Sequence, residues 1–596
     1  MCRIAGIANA ALPLPALEQQ VKEMCNLQKH GGPDDEGIYS SSPDYLVLGH
    51  RRLALIDLSP LGHQPMIYED KFVITFNGEI YNYQALKTDL TALGKIFYTH
   101  SDTEVILAAF AQWNTQSFAK LKGMFAFALY DRTERLLYLV RDPSGIKPLY
   151  FTTAGKSLQF ASEIRAFKAL DHHLENKYWP VFQLAYGHIP EPVTTLQQVQ
   201  PLHKGCFLTY NLANHNSSLQ SFSHYSYSSK INTEAVCLSS IKKNIQQAVK
   251  CHLISDAPIG VFLSGGIDSG IITGIASDYQ QHYLKTLSLY FNETLFSEKE
   301  KQDILIKKLG CHFYQHLLSE GEFQSAFPAI LAAMDMPSCD GVNTWFISKY
   351  AAAQGLKAVL SGIGGDELFG GYPSFSRVGL AGILQKSPQL LLCAGKKTNS
   401  TKLKRLQYLK LEGAKGLYLF LRGQFLPLDI ARQLGATEKE IWNILEDQPM
   451  YPGLERLKAK DRASWLEMNM YMQNQLLRDA DVMSMAHGVE IRVPFLDDAV
   501  IKNTLAINPS IKYPGPLPKQ VLINAFKDEL PEEIWNRKKM GFTFPFTDWL
   551  GNSSFVKDMM STANENTKMN YQKFMQGKLH WSHLMSLIIL KSRGVA

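Results

Sequence analysis

Near residue 228 the hydrophobic rhythm of the chain changes, so no single sheet or bundle can serve both halves. Upstream, short apolar runs are separated by turns: YLVLGH, KFVITFNGEIYN, GMFAFALYD, RLLYLVRD, PLYF and LQFASE. Such runs read as strands and predict sheet packed on sheet or on a few helices, the helices coming from segments such as 16–29 and 102–113. The Ser- and Asn-rich stretch 211–232 closes this half. Beyond it Leu238, Ile241, Ile245, Ala248 and Val249 recur at helical spacing and predict an amphipathic helix over 234–252. Strands and helices then alternate: IGVFL at 259–263, IITGIASDYQ, KTLSLYF, SEKEKQDILIKKLG, CHFYQHLL, two helical stretches and LKAVL at 356–360. That order implies a parallel sheet with ligands at the carboxyl ends of its strands. From about 400 onward the chain reads mostly helical. Two domains are expected, 2–228 and 229–596, since 596 residues exceed what one core holds.

Two glycine-rich loops follow predicted parallel strands. SGGIDS carries Ser264, Gly265, Gly266, Asp268 and Ser269 from a buried strand into a helix. Glycines let backbone N–H groups approach an anion, and a helix N-terminus adds free donors and a favourable dipole. It is not a Walker A loop: GxxxxGK[ST] is absent, and the GKS at 155–157 has Tyr150 where the first glycine belongs. SGIGGDELFGGY, 361–372, follows LKAVL, so both loops should open on one sheet edge. Asp268 and Asp366 are then placed to hold a magnesium ion over a triphosphate, the ion offsetting charge on the α-phosphate and its departing pyrophosphate.

Composition removes several function classes. A net charge of +6 over so long a chain predicts no nucleic-acid partner. The basic stretch KKTNSTKLKR, 396–405, has no interleaved aromatic residues for base stacking and reads as a solvated face. Eight scattered cysteines with no CxxC pair argue against a zinc site and a disulfide framework, and for a reducing compartment. The opening RIAGIANAALPLPAL has a faint signal-peptide look, but Pro13, Pro15 and a single charge speak against it. No uninterrupted apolar run is long enough to span a membrane, so a cytoplasmic protein is expected. Cys2 stands directly behind Met1: chance is the plain explanation, while loss of Met1 would place a thiol and a free α-amino group on one residue.

SGGIDS resembles the signature loop of the ATP-pyrophosphatase superfamily. Together with SGIGGDELFGGY, LLRDADVMSMAHGVEIRVPFLD (476–497) and RKKMGFTFP (537–545), it resembles the glutamine-hydrolysing asparagine synthetase family. The first half is similar to a class II glutamine amidotransferase in Cys2, GHRRLALID (49–57), NGEIYN (77–82), SDTE (101–104), GMFAFALYD (123–131) and RDPSGIKPLY (141–150). The resemblance implies an αββα sandwich of two antiparallel sheets, Ntn-hydrolase-like, then a parallel-sheet α/β ATP-pyrophosphatase domain with a helical C-terminal part. It makes Cys2 the nucleophile with its own α-amino group as base, and Asn77 and the Gly78 N–H the oxyanion hole. It gives the glutamine α-carboxylate to Arg52 and the α-amino group to Asp102, assisted by Glu79 and backbone at 53–56. A surface ion pair for Arg52 and a helix N-cap for Asp102 are the plain alternatives.

For the second half the resemblance sets ATP against Leu263 and Leu289, with Ser361 and Gly362 near ribose and phosphates, Lys519 as catalytic lysine and Lys539 as a further phosphate-side cation. Glutamine, aspartate, ATP and Mg2+ are the implied small molecules, and a homodimer stays open. MSMAHGVEIRVPF is expected either to line a dry ammonia passage or to be plain buried core. Four positions depart from the family pattern. Arg3 stands where many members have glycine, and Gly31 where they have arginine before GPDD. Ser297 replaces an acidic residue, and Ile363 replaces a glutamate tied to adenylate formation. Isoleucine cannot act as acid, base or ligand, so another carboxylate, on a sugar or a peptide, competes with aspartate as acceptor. A non-catalytic glutamine and ATP sensor is the third reading, and the intact set Cys2, Asn77, Asp268, Asp366 and Lys519 speaks against it.

Overall fold

The structure is a computed structural model that describes residues 2–170, 173–280, 283–388, 392, 401–449, 453–537, 541 and 543–595. In the first half two six-stranded sheets face each other. One runs Gln200–Pro201, Tyr150–Ala154, Ser157–Ala161, Arg3–Asn9, Leu46–Arg52, Asp35–Ser41. The other runs Ser217–Ser221, Cys206–Asn211, Leu136–Arg141, Gly123–Asp131, Phe72–Ile80, Met66–Tyr68. Every pairing in both is antiparallel. GMFAFALYD shows why a continuous apolar run suits this place. Successive side chains on a strand point to opposite faces. Ala126, Ala128 and Tyr130 fill the space between the sheets, while Phe125, Phe127 and Leu129 meet the helix Asp102–Trp113 on the outer side. Leu17, Val21 and Met24 of the helix Leu14–Leu27 cover the other sheet, completing the αββα layers. Pro13 precedes that helix and Pro15 sits in its first turn, where proline costs no hydrogen bond.

In the second half five parallel strands run in the order His312–Leu317, Lys285–Tyr290, Ile259–Phe262, Ala358–Leu360, Glu490–Arg492. The chain builds outward from Ile259–Phe262 in one direction, then returns to its other side. The order therefore reverses between Ile259–Phe262 and Ala358–Leu360, which is where open α/β sheets leave a crevice for ligands. The last strand comes from the GVEIR part of the segment expected either to line a passage or to be plain core. Met485, Val489, Ile491 and Phe495 are buried there, as either role requires. After it the described residues are helical.

The halves share a core. Leu53, Leu55, Tyr81 and Met124 pack into the cluster that holds Ile245 and Ile259. Ion pairs cross the same contact: Arg3–Asp481 at 2.9 Å, Lys357–Asp34 at 2.6 Å and Arg492–Glu79 at 3.4 Å. Among the described residues the cysteines are free, and no helix is long and apolar enough to cross a membrane. Residues 396–400 of the basic stretch lie outside the described residues.

Candidate active sites

Cys2 is buried at the head of the strand Arg3–Asn9, and its backbone nitrogen donates to Asn77 Oδ1 at 3.2 Å. That bond fixes the amide of Asn77, whose buried Nδ2 has no hydrogen-bond partner among the described residues. An unmatched donor thus sits on the residue that holds the Cys2 nitrogen. Gly78 follows at φ 151°, and a Cβ there would come within 2.1 Å of the Met124 carbonyl oxygen, so only glycine fits. Burial pushes the Cys2 thiol up, and the Arg52 guanidinium pulls the other way.

Arg52, Gly78, Glu79 and Asp102 line one small cavity with Cys2. Arg52 is buried, unlike a surface ion pair, and its guanidinium donates to the carbonyls of Ser59 at 3.2 Å, Ile56 at 3.5 Å and Asp57. A Cβ on Gly62 would lie 2.0 Å from Arg52 Nη2, so that glycine admits the guanidinium. Backbone carbonyls hold this cation and no carboxylate among the described residues forms a close ion pair with it, although Asp57 feels its charge, which suits it to a ligand carboxylate. The N-cap role falls to Ser101, whose hydroxyl accepts the Thr103 N–H at 3.1 Å. Asp102 instead accepts the Ile80 N–H at 2.9 Å, and burial pushes its carboxyl up to about 6. Burial pushes Glu79 well up too, opposed by Arg492.

Arg3 and Gly31 prove to be one departure. A Cβ on Gly31 would meet Arg3 Cγ and Nε, each at 2.8 Å. The Arg3 side chain fills the space a larger residue 31 would take, and pairs there with Glu163 at 2.6 Å and Asp481 at 2.9 Å.

At the reversal of the parallel sheet the two glycine loops nest. A Cβ on Gly362 would come 2.9 Å from Asp268 Cβ, and one on Gly365 2.5 Å from Asp268 Cγ. Within the first loop the Ser264 and Ser269 hydroxyls lie 3.0 Å apart, and the Gly266 N–H donates to Ser264 Oγ at 3.3 Å. Gly265 has φ 83°, left-handed backbone that turns the strand into the helix Ile267–Gln280. Lys519, about 250 residues away, brings its ammonium between Asp268 and Asp366. Burial alone pulls Lys519 down, but the two carboxylates outweigh it and hold it above the usual lysine range. Both carboxylates thus converge on one cationic centre, a donor pair that fits a magnesium ion. Among the described residues no cluster of three or more potential metal ligands occurs, so such an ion needs phosphate or water oxygens as well. Beside the loops a cavity of about 190 Å³ is lined by Leu263, Ser264, Leu289, Ser361 and Ile363.

Residues 240–583 match the asparagine synthase family and residues 1–223 the glutamine amidotransferase domain family. The chain belongs to the asparagine synthetase family. That membership carries the expected enzyme class, a glutamine-dependent ligase. It is 31% identical to asparagine synthetase [glutamine-hydrolyzing] 1 of Bacillus subtilis, over 93% of this chain and 88% of that one. It is 28% identical to asparagine synthetase [glutamine-hydrolyzing] 3 of the same organism, over 90% and 86%. It is also 26% identical to amidase chry2 of Gibberella zeae, over 92% and 88%.

Several residues of an asparagine synthetase chain like this one escape sequence reasoning. Arg537 donates to the Gly265 carbonyl at 3.1 Å and to Glu298 at 2.7 Å, clamping the first loop. RKKMGFTFP pointed to the segment but not to that arginine. Lys539 lies outside the described residues. Arg492 reaches Glu79 at 3.4 Å, its Nε is bound by Glu490 at 2.7 Å, and its carbonyl accepts the Ser361 N–H at 2.8 Å. Asp340 and Asp479 also line the nucleotide-side cavity. Burial, with Asp340 adding to it, pushes Asp479 up to about 8.

Proposed function

We propose that the chain hydrolyses glutamine at Cys2 and uses the ammonia to amidate a carboxylic acid activated by ATP, aspartate being the acceptor its relatives' names imply. Overall, acid, ATP, glutamine and water give amide, AMP, pyrophosphate and glutamate. The Asp268–Lys519–Asp366 cluster carries the reading: an ammonium between two carboxylates, at the carboxyl ends of two parallel strands, answers to a phosphate centre.

Loss of Met1 turns the Cys2 nitrogen into an α-amino group hydrogen-bonded to Asn77. A free thiol has a pKa of about 8.5 and an α-amino group about 7.7–8.0, so proton transfer between them is nearly balanced. The thiolate attacks the glutamine amide carbon, and Asn77 Nδ2 and the Gly78 N–H meet the oxyanion. Ammonia leaves with the proton, and water cleaves the glutamyl thioester. In the second half an oxygen of the acceptor carboxylate attacks the α-phosphorus of ATP, the bond to the β-phosphate breaks, and pyrophosphate departs. Lys519 turns from its aspartates to the phosphate charge. Asp268 and Asp366 are the residues that would hold a magnesium ion, which would supply further charge neutralisation there. Ammonia attacks the acyl carbon, a proton is lost, and AMP leaves the amide.

Ile363 favours a second reading in which another acid replaces aspartate. Its side chain lines the cavity beside Leu263, Ile347, Leu476 and Ile491 and, unlike a glutamate, cannot itself move a proton, although Asp340 and Asp479 line the same cavity.

Purified protein given glutamine, Mg-ATP and aspartate should yield asparagine, glutamate, AMP and pyrophosphate. Glutamate without AMP moves the acceptor elsewhere, and absence of glutamate under any condition refutes the proposal. Cys2→Ala should abolish glutamine use and spare ammonia-dependent synthesis.

A further inference from the structure

A second cavity, about 970 Å³, shares Asp340 with the nucleotide-side cavity. No step above uses it. It begins beside the reacting centre through Tyr372, the last residue of SGIGGDELFGGY. The preceding Gly371 packs so closely that a Cβ there would lie 2.8 Å from Lys519 Cε, and the Tyr372 hydroxyl donates to Glu367 at 2.7 Å. From there the cavity runs outward to the start of the helix Trp581–Ser592.

Its size and charge both bear on the occupant. Small-molecule pockets span about 300–1,000 Å³, so this one stands at the large end, far beyond what a four-carbon amino acid fills. Part of the wall is aromatic, with Tyr186, Tyr372, Tyr418 and Tyr471. Arg422 lies over the Tyr471 ring at 3.7 Å from its centre and is paired with Glu467 at 2.8 Å. Farther out stand Arg377, Lys404, Arg405, Lys573 and Lys578, none of them paired with a carboxylate among the described residues. Among the described residues that line the cavity, Asp340 and Asp429 are the acidic ones, and Asp429 already faces Arg432 at 4.0 Å. Five unmatched cations around one concavity raise a positive field that draws anions in.

We propose that this cavity holds the acceptor, and that the acceptor is a large, multiply anionic carboxylic acid whose reacting carboxylate reaches past Tyr372 to the Lys519 centre while its remaining negative groups meet the cationic outer wall. The inference rests on the ligase reading above and narrows its substrate. Carboxylates or phosphates could supply the outer charges, and the test separates them.

AMP release is measured with glutamine, Mg-ATP and each of four acids: aspartate, Asp-Gly-Gly, Asp-Glu-Glu and Asp-Gly-phosphoserine. At least one of the two acidic-tailed peptides should exceed both aspartate and Asp-Gly-Gly in kcat/KM by about tenfold or more, and the better tail identifies the charge source. Lys573→Glu with Lys578→Glu should cut that advantage by about tenfold, with glutamate release showing that the double variant is folded. Aspartate or Asp-Gly-Gly matching the acidic peptides, or an advantage unmoved by charge reversal, overturns the inference while leaving the ligase intact. AMP from none of the acids, with glutamate still released, removes the ligase reading and this inference with it.

Discussion

Exchanging residues 3 and 31 should reveal their coupling. Gly31→Arg alone puts a Cβ 2.8 Å from Arg3 Cγ and Nε, well inside the ~3.5 Å of ordinary carbon contact. Arg3 cannot step aside, because Glu163 holds it at 2.6 Å and Asp481 at 2.9 Å. Overpacking of this kind costs about 1–3 kcal/mol. Arg3→Gly removes the cation from two buried carboxylates, which costs about 3–5 kcal/mol when a pair is broken from one side. Burial pushes Glu163 up, but Arg3, His30 and Arg165 together hold it below the usual carboxylate range, so part of the network outlives Arg3. In the double variant the new arginine enters the emptied space and can pair again. A coupling of about 2–3 kcal/mol is expected, the upper range for residues in contact. At about 2–4 °C per kcal/mol for a domain this size, the double variant should melt about 4–12 °C above the additive sum. Thermal melts of the four proteins, read by intrinsic fluorescence with glutaminase activity alongside, give the answer. Strict additivity, or a double variant no better than Arg3→Gly, would show that the two positions do not share one space.

Three further outcomes are expected. Lys519→Met should lower AMP formation by about 10²–10³-fold, the usual loss for one charge-stabilising group, while glutamate release persists; equal loss of both activities would place Lys519 outside the synthetase site. Asp102, pushed up to about 6 by burial, must be ionised to hold an ammonium, so glutaminase kcat/KM should be full above that pH and fall as pH drops through it. A profile flat to pH 5 would take the glutamine amine away from Asp102. Asp479 is raised from 3.8 to about 8, so folding takes up a proton between those values and the stability it lends below about pH 4 is lost as pH rises towards 8. Asp479→Asn should therefore raise the melting temperature more at pH 8 than at pH 5, and an equal shift at both would contradict the burial argument.

The residues themselves carried the architecture. Short apolar runs between turns, set against strand–helix alternation, separated a strand-built first half from one parallel sheet, and motif resemblance added that the first half is two sandwiched antiparallel sheets. The glycine loops were legible for the same local reason: only a residue without a Cβ lets Gly362 and Gly365 lie on Asp268. Motif resemblance gathered Cys2, Arg52, Gly78, Glu79 and Asp102, which line one cavity in the fold. Contacts between segments distant in sequence have no periodicity to announce them. Arg3 reads as a misfit until its side chain is seen filling the space beside Gly31, 28 positions on, and reaching Asp481 in the other half. Lys519 reads as a lone cation until folding sets it between Asp268 and Asp366. Arg492, Asp340 and the five unmatched cations of the large cavity belong to the same class: the chain fixes which charges exist, and only packing in three dimensions decides which of them meet, which are neutralised and which are left facing a ligand.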